Sequence, residues 1–215
     1  MRNKVSKNRK TDIFVHSLAC DFVGGRVNHR LRFGGGRGQD LARAVGLKPG
    51  VNPHIIDATA GLGRDAFLLA SLGAKVTLIE RSKFMYDLLE EGIERARDAG
   101  GITAEVIGRM RLIKGDSISL LQGLAPEIIL VDPMHPARQK SALVKAEMRQ
   151  IREIVGVDED QYELMRVALA TASKRVVLKW PAKAAPMAGL LPCSHQIIGK
   201  STRYDVFMLP VKMTP

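Results

Sequence analysis

Acidic residues stand at the ends of four predicted β-strands, and these are the side chains whose types and spacing could do chemistry. They are the last residues of the runs HIID, KVTLIE, RLIKGD and IILVD, namely Asp57, Glu80, Asp116 and Asp132. In an open parallel sheet, ligands bind outside the carboxyl ends of the strands. We therefore expect the four carboxylates to share one site.

The glycine-rich turn DATAGLGRDAF, residues 57–67, allows two kinds of ligand. Gly61, Gly63 and Ala66 fit the relaxed G-x-G-x-x-A dinucleotide fingerprint, and Glu80 lies where a ribose-binding acid belongs. A nicotinamide enzyme is therefore one interpretation of this turn.

The acids around the turn favour a different cofactor. Asp57 precedes Gly61 by four residues, and Asp65 falls in the first turn of the following helix. Carboxylates there would repel a pyrophosphate at the helix N-terminus, but they suit the ammonium and sulfonium charges of S-adenosylmethionine. Glu80 would then accept hydrogen bonds from the ribose hydroxyls, and Asp116 with Ser117 would contact the adenine end.

The tip of the fourth strand, DPMHP, holds one acid firmly in place. Pro133 and Pro136 restrict the backbone just beyond Asp132. The exocyclic amine of a base is a poor nucleophile, and it needs acceptors that hold its protons. The Asp132 carboxylate and the Pro133 carbonyl can supply them, and the carboxylate can take up the proton after alkylation. His135 can stack on the base, or it can cap the turn or contact a phosphate.

Short apolar runs alternate with amphipathic ones from residue 54 onward, which indicates a doubly wound α/β fold. Strands are predicted at 54–58, 74–80, 109–115, 127–132 and 174–180, followed by a closing pair within 193–209. Helices are predicted after the glycine turn to about Leu72, over 81–100, and in the runs SALVKAEMRQIREIV and EDQYELMRVALATAS. We expect a mostly parallel, seven-stranded sheet with an antiparallel strand at one edge.

Basic residues concentrate at the N-terminus of this 215-residue chain, whose net charge is +11. Residues 1–48 hold eleven Lys and Arg against three Asp, a net charge of +8. We expect this segment to contact RNA and residues 49–215 to form the α/β domain. Arg30, Arg32 and Arg37 flank the run FGGG and are the candidate phosphate contacts. A solubilising tail, or arginines that form surface ion pairs, is the other interpretation.

The sequence gives no sign of a membrane span, a secretory signal or a metal site. No apolar run approaches the roughly 18 residues of a membrane span, and no apolar stretch follows the basic N-terminus. Cys20 and Cys193 are far apart and not in metal-ligand spacing, as expected for reduced thiols. We expect a cytoplasmic protein that needs no metal.

Four strings together resemble the ribosomal RNA small-subunit methyltransferase J family of bacterial guanine-N2 methyltransferases, over roughly Asp21 to Leu209. They are FVGGRVNHRLRFGGGRGQ, DATAGLGRDAF, DPMHPARQKSALVKAEMR and KRVVLKWP. The resemblance implies a class I, Rossmann-like methyltransferase that uses S-adenosylmethionine and releases S-adenosylhomocysteine. It implies that the acceptor is a guanine N2 amine in 16S ribosomal RNA, free or within the 30S subunit. The implied donor contacts are Arg64, Asp65, Glu80, Arg81, Asp116, Ser117 and Asp132.

The chain departs from the family pattern at two places. His135 stands where the family more often has Phe or Tyr, and the N-terminal part is shorter than is usual in the family. An amino-methyltransferase acting on DNA or protein could use the same Asp-Pro tip. A non-catalytic RNA-binding or ribosome-assembly factor with this fold is a further alternative.

Overall fold

The structure is a computed structural model that describes residues 19–24, 36–134 and 160–210. Within these residues, seven strands form one sheet in the order β3-β2-β1-β4-β5-β7-β6. The strands are β1 His54–Asp57, β2 Lys75–Glu80, β3 Met110–Lys114, β4 Ile128–Val131, β5 Arg175–Pro181, β6 His195–Ile198 and β7 Thr202–Met208. The helices are α1 Asp40–Ala44, α2 Arg64–Ser71, α3 Lys83–Asp98, α4 Gly101–Ile107, α5 Ser117–Leu124 and α6 Gln161–Thr171, and a 3-10 turn covers Gly36–Gly38.

Strands β1 to β5 run parallel, and β7 runs antiparallel to both β5 and β6. This confirms the doubly wound, mostly parallel sheet of seven strands with an antiparallel addition at one end. Strand β6 is outermost, so β7 lies one position in from the edge. The strand order reverses at β1, which pairs with both β2 and β4. That switch point is where a ligand crevice is expected.

Alternating side chains of the central strands bury themselves on opposite faces of the sheet. Ile55, Leu78 and Leu130 pack on one side with residues of α1 to α4. Ile56, Ile129 and the α5 and α6 helices form the core on the other side. The two helical layers cover both faces of the sheet, and the site is built on its carboxyl edge.

Three short helices, α1, α4 and α5, were not among the predicted elements. Gly100 ends α3 with φ of 70°, and Gly101, with φ of 59°, opens the short helix α4 rather than a loop. Helix α5 begins at Ser117 because the Asp116 side chain accepts a hydrogen bond of 2.8 Å from the Ile118 amide. The predicted helix in SALVKAEMRQIREIV lies outside the described residues.

The described part of residues 1–48 packs into the core of the α/β domain. Leu41 and Ala44 of α1 are buried, and the ring of Phe22 stacks on Phe67 with centroids 5.0 Å apart. Arg30, Arg32 and the rest of 25–35 lie outside the described residues, so the proposed division at residue 48 stays a prediction. Among the described helices, none is long and apolar enough to cross a membrane.

Candidate active site

Two clefts open at the carboxyl edge of the sheet, one on each side of Asp132. The first cleft is lined by residues that include Gly61, Glu80, Arg81, Asp116, Ser117 and Asp132. The second cleft is lined by residues that include Asp57, Arg64, Asp65, Asp132, Pro133 and Lys179, and has a volume of about 450 Å³. That volume lies in the range of small-molecule sites. Thr59, Gly61, Asp132 and Met134 line both, so the clefts meet at the tip of β4.

Glu80 holds the glycine-rich turn against the end of β2. Its Oε2 accepts a hydrogen bond of 2.9 Å from the Gly61 amide, and its Oε1 accepts one of 2.8 Å from the Ser82 amide. Glu80 therefore both fixes the turn and forms part of the wall of the first cleft.

Gly61 and Gly63 have different structural roles in the turn. A side chain on Gly61, which has φ of 52°, would meet only the Thr59 carbonyl oxygen at 3.9 Å, so the space above it belongs to the clefts. A side chain on Gly63 would come within 2.7 Å of Leu89 and 3.1 Å of Phe22. Gly61 thus leaves room for a ligand, whereas Gly63 faces the core and lets α2 start close to α3.

Asp57 is a buried carboxyl group, only 3% exposed. Burial raises its pKa to about 7, although the hydrogen bond of 3.1 Å from the Thr59 amide works in the opposite direction. The charges of Asp65 and Asp132 raise the pKa further. Asp57 therefore gains or loses its proton near neutral pH, beside the second cleft.

Lys179 bridges the two acids that face the second cleft. Its Nζ donates hydrogen bonds of 2.6 Å to Asp65 Oδ2 and 2.7 Å to Asp132 Oδ2. Burial alone would lower the pKa of Lys179, but the charges and hydrogen bonds of Asp132 and Asp65 outweigh it and raise the pKa above its ordinary value. Lys179 is therefore a fixed cation between the first turn of α2 and the tip of β4.

The Asp132 backbone is tied to the glycine-rich turn by a hydrogen bond. Its amide donates a hydrogen bond of 2.7 Å to Thr59 Oγ1 in the glycine-rich turn. The Asp132 side chain is 41% exposed and faces both clefts. Pro133 lines the second cleft, while His135 lies outside the described residues.

Charged and polar groups close the far side of the first cleft. Ser117 is 5% exposed, and its hydroxyl donates a hydrogen bond of 2.7 Å to the Ala58 carbonyl, which ties α5 to β1. Arg81 donates to Asp160 at 2.5 Å, and this hydrogen bond holds the pKa of Asp160 below its ordinary value. These contacts join the ends of β2 and β1 to the starts of α6 and α5.

Arg37 lies at the opposite edge of the sheet. Its Nη2 donates a hydrogen bond of 2.8 Å to the Leu72 carbonyl at the end of α2. Helix α2 starts beside the clefts, at the carboxyl edge of the sheet, and ends close to the first residue of β2. Leu72, just after this helix, therefore lies at the amino edge of the sheet. This position does not support Arg37 as part of a phosphate-binding lip beside the pocket.

Lys179 is the site residue that the sequence did not reveal. It sits in the run KRVVLKW, which predicts a buried strand and nothing more. A lysine inside an apolar strand could have indicated a site residue, because a buried charge without a partner costs free energy. Its partner becomes evident from the register: Val131 pairs with Leu178, so Asp132 and Lys179 follow side by side.

Within the described ranges, no group of three or more His, Cys, Asp or Glu side chains could hold a metal ion. The described cysteines, Cys20 and Cys193, form no disulfide.

The sheet order, with acids and a glycine-rich turn at its switch point, defines a class I methyltransferase fold. Residues 2–209 match the protein family described as "Putative SAM-dependent methyltransferase". A crystal structure of a SAM-dependent methyltransferase from Neisseria gonorrhoeae superimposes with a TM-score of 0.70 at 35% identity, over 89% of this chain and 74% of that one.

Curated relatives narrow the assignment. The chain is 65% identical to the ribosomal RNA small subunit methyltransferase J of Brucella anthropi, over 91% of this chain and 96% of that protein. It is 63% identical to the protein of the same name from Agrobacterium fabrum, over 90% of this chain and 93% of that protein. The chain belongs to the ribosomal RNA small subunit methyltransferase J family. It is an enzyme whose cofactor is S-adenosylmethionine rather than a nicotinamide dinucleotide.

Proposed function

We propose that this enzyme transfers the methyl group of S-adenosylmethionine to the exocyclic N2 amine of a guanine in small-subunit ribosomal RNA. The observation that carries the proposal is the position of Asp132, whose carboxylate lies where the two clefts meet. A donor that extends from the first cleft over the glycine-rich turn, with a base in the second cleft, would bring the methyl group and the amine together beside that carboxylate.

The first cleft suits the nucleoside part of the donor. Glu80 lines this cleft at the end of β2 and accepts hydrogen bonds from the ribose hydroxyls. Asp116 and Ser117 lie at the end where the adenine would sit, and Arg81 flanks it. Gly61 leaves open space between the clefts for the sulfonium end, which supplies the electrophilic methyl group.

The methionine part of the donor would pass over the glycine-rich turn toward α2. Asp57, Arg64 and Asp65 all line the second cleft next to Gly61. The Asp65 carboxylate provides negative charge near the donor ammonium group, Asp57 adds to it once it has lost its proton near pH 7, and Arg64 provides positive charge for the donor carboxylate. Gly63 supports this arrangement from the core by letting α2 begin at the correct position.

Asp132 and Pro133 form the acceptor part of the site. The Asp132 carboxylate accepts an N–H of the amine, which turns the nitrogen lone pair toward the methyl group, and the Pro133 carbonyl accepts the second N–H. Orientation of this kind contributes several kcal/mol, and about 7–11 at the most favourable. After transfer, the carboxylate accepts the proton that the nitrogen releases.

The substrate class rests on the relatives, whose names state an action on small-subunit ribosomal RNA. A strongly basic N-terminal segment, residues 1–48, is consistent with binding to RNA or to the 30S subunit. Ribosomes are assembled in the cytoplasm, and we place the enzyme there. Among the three predicted phosphate contacts, Arg30 and Arg32 remain the candidates.

An Asp132→Asn variant tests the proposed chemistry. The amide keeps the shape of the side chain but cannot take up a proton, and it weakens the contact with Lys179. We expect methyl transfer to 16S ribosomal RNA to fall about 10²-fold or more, with the affinity for S-adenosylhomocysteine less affected. The measurement is single-turnover transfer of labelled methyl groups, with a chelator present and mass mapping of the product nucleoside.

Asp87→Asn is the matched control, since Asp87 lies on the surface of α3 in an exposed pair with Lys83. It should leave both readouts unchanged. Near-normal turnover by Asp132→Asn would show that the carboxylate is dispensable. Loss of activity in the chelator would contradict a metal-free mechanism, and N2-methylguanine absent from the product would contradict the proposed acceptor.

A further inference from the structure

Lys179 has a hydrogen-bonding capacity that its two carboxylate partners do not use up. An ammonium group carries three N–H donors. Two of them bind Asp65 Oδ2 and Asp132 Oδ2 at 2.6 and 2.7 Å. The side chain is 24% exposed and lines the second cleft. The third N–H therefore has access to whatever occupies that cleft.

The neighbouring side chains fix what Lys179 presents to a ligand. Asp132 and Asp65 keep it protonated, so it can donate a hydrogen bond but cannot accept one. It follows Leu178 in β5 and lies beside Asp132 because the parallel strands are in register. The cleft thus offers an acceptor and a donor side by side, from two rigid strand ends.

This pattern is complementary to one edge of guanine. The Watson–Crick edge of guanine carries, in order, the N2 amine donor, the N1–H donor and the O6 acceptor. Enzymes that act on a base extrude it and recognise this edge by hydrogen bonds. A base whose N2 and N1 donors face Asp132 would turn O6 toward Lys179. Adenine carries an amine where guanine has O6, and that amine would face an ammonium group.

We propose that Lys179 is a specificity-determining residue, whose third N–H donates a hydrogen bond to O6 of the target guanine while Asp132 accepts from its amine. This inference rests on the proposed function and adds to it the atom by which the enzyme distinguishes guanine. Two other roles compete. Lys179 could only neutralise the two acids, or it could bind the carboxylate of the donor.

The test compares two acceptors in wild-type enzyme and in Lys179→Met. The acceptors are one RNA substrate carrying either guanine or 6-thioguanine at the target position. The thio base keeps the N2 amine and N1–H but replaces O6 with a weaker acceptor. We expect wild-type kcat/KM to be about tenfold or more lower for the thio base, the range of a charge-assisted hydrogen bond. Lys179→Met should be slower on guanine and should treat the two bases alike within about threefold.

Each other outcome decides against the proposal. An equal rate on both bases by the wild-type enzyme overturns it, even where Lys179→Met does not fold. A folded Lys179→Met that keeps the tenfold difference also overturns it. A large loss of affinity for S-adenosylhomocysteine in this variant assigns the ammonium to the donor instead. Absence of any methylation on guanine by the wild-type enzyme would overturn the proposed function as well, which separates the two failures.

Discussion

At the scale of single residues, Asp57 combines a carboxyl group with a buried position that disfavours its charge. The folded protein keeps the proton on this group up to about pH 7, whereas the unfolded chain releases it near its ordinary value of 3.8. Between these values the unfolded chain binds fewer protons than the folded one. The contribution of Asp57 to stability therefore falls as the pH rises from about 4 to 7.

We expect Asp57→Asn to remove this pH dependence. The amide oxygen can still accept the hydrogen bond from the Thr59 amide, but the side chain has no charge to bury. The difference in the free energy of unfolding between variant and wild type should be small near pH 4 and should grow in favour of the variant up to pH 8, by as much as about 4 kcal/mol. Urea unfolding at a series of pH values measures it. A constant difference across this range would show that Asp57 is not the group that titrates.

Glu80 allows a second prediction at this scale. Replacing it with Ala removes an acceptor for the donor ribose and also releases the amides of Gly61 and Ser82. We expect at least about tenfold weaker binding of S-adenosylhomocysteine, since a charge-assisted hydrogen bond contributes about 1.5–3 kcal/mol. Calorimetric titration gives the affinity. Glu90→Ala on the surface of α3 is the control, and unchanged binding in Glu80→Ala would place the ribose elsewhere.

The sequence could identify the acids of the site but not the lysine between them. Asp57 and Glu80 end β1 and β2, Asp116 and Asp132 lie just beyond β3 and β4, and parallel strands bring their carboxyl ends to one edge. The partner of Asp132 depends on the register of β4 against β5, which no local pattern specifies. Lys179 lies 47 positions further along the chain and meets Asp132 only after the sheet has formed.

At the scale of elements, the loop after β5 is held by a buried arginine on β7. Arg203, 5% exposed, donates to both oxygens of Asp205 at 2.9 and 3.1 Å. Its Nη1 also donates to the carbonyls of Pro181 and Ala184 at 3.1 and 2.6 Å. Pro181 lines the second cleft, so this arginine shapes one wall of the proposed base pocket.

We expect Arg203→Met to destabilise the protein by about 3–5 kcal/mol, because it leaves the Asp205 charge buried without its partner. Thermal or urea unfolding measures the loss. Arg166→Met is the matched control, since Arg166 pairs with Glu163 on the exposed surface of α6 and its loss should barely change the unfolding midpoint. Equal effects of the two changes would show that burial of the Arg203 pair is unimportant.

The alternation of strands and helices was predictable because each strand is a short apolar run bounded by turn residues. Helices α1, α4 and α5 were not predicted, and they are only five to eight residues long. Gly100 and Gly101 indicate a stop, yet only the first of them ends a helix. Such short helices form when tertiary packing stabilises them, as Val106, Ile107 and Leu121 do here.

At the scale of the whole molecule, the two clefts draw on different strand ends and share the glycine-rich turn after β1. The first cleft is built largely from the ends of β1 and β2 and the turn after β3. The second takes Asp132 and Pro133 after β4, Lys179 to Pro181 from β5, and Ser201 and Thr202 at the start of β7, together with Asp57, Arg64 and Asp65 around the glycine-rich turn. Asp132, next to the switch point, belongs to both.

The charge distribution gives a prediction for RNA binding. We expect a double variant, Arg30→Gln with Arg32→Gln, to weaken RNA binding and to flatten its dependence on salt by about 0.7–0.9 log units per lost phosphate contact. Donor affinity should stay the same. Arg37→Gln is the control on the same segment, because Arg37 contacts Leu72 at the amino edge. A double variant with an unchanged salt slope would move the RNA-binding face to another part of the molecule.

Because β7 runs antiparallel to β5, the turn before it lies where changes could alter which RNA the enzyme accepts. Thr202, the first residue of β7, pairs with Pro181, the last residue of β5, so the β6–β7 hairpin turn reaches the carboxyl edge. Gly199, Lys200 and Ser201 form this turn, and Ser201 lines the second cleft. Hairpin turns tolerate insertions and changes of sequence well. A library of altered turns at 199–201 would vary the wall around the base and leave the first cleft untouched, which makes this turn the natural place to retarget the enzyme to other RNA sequences.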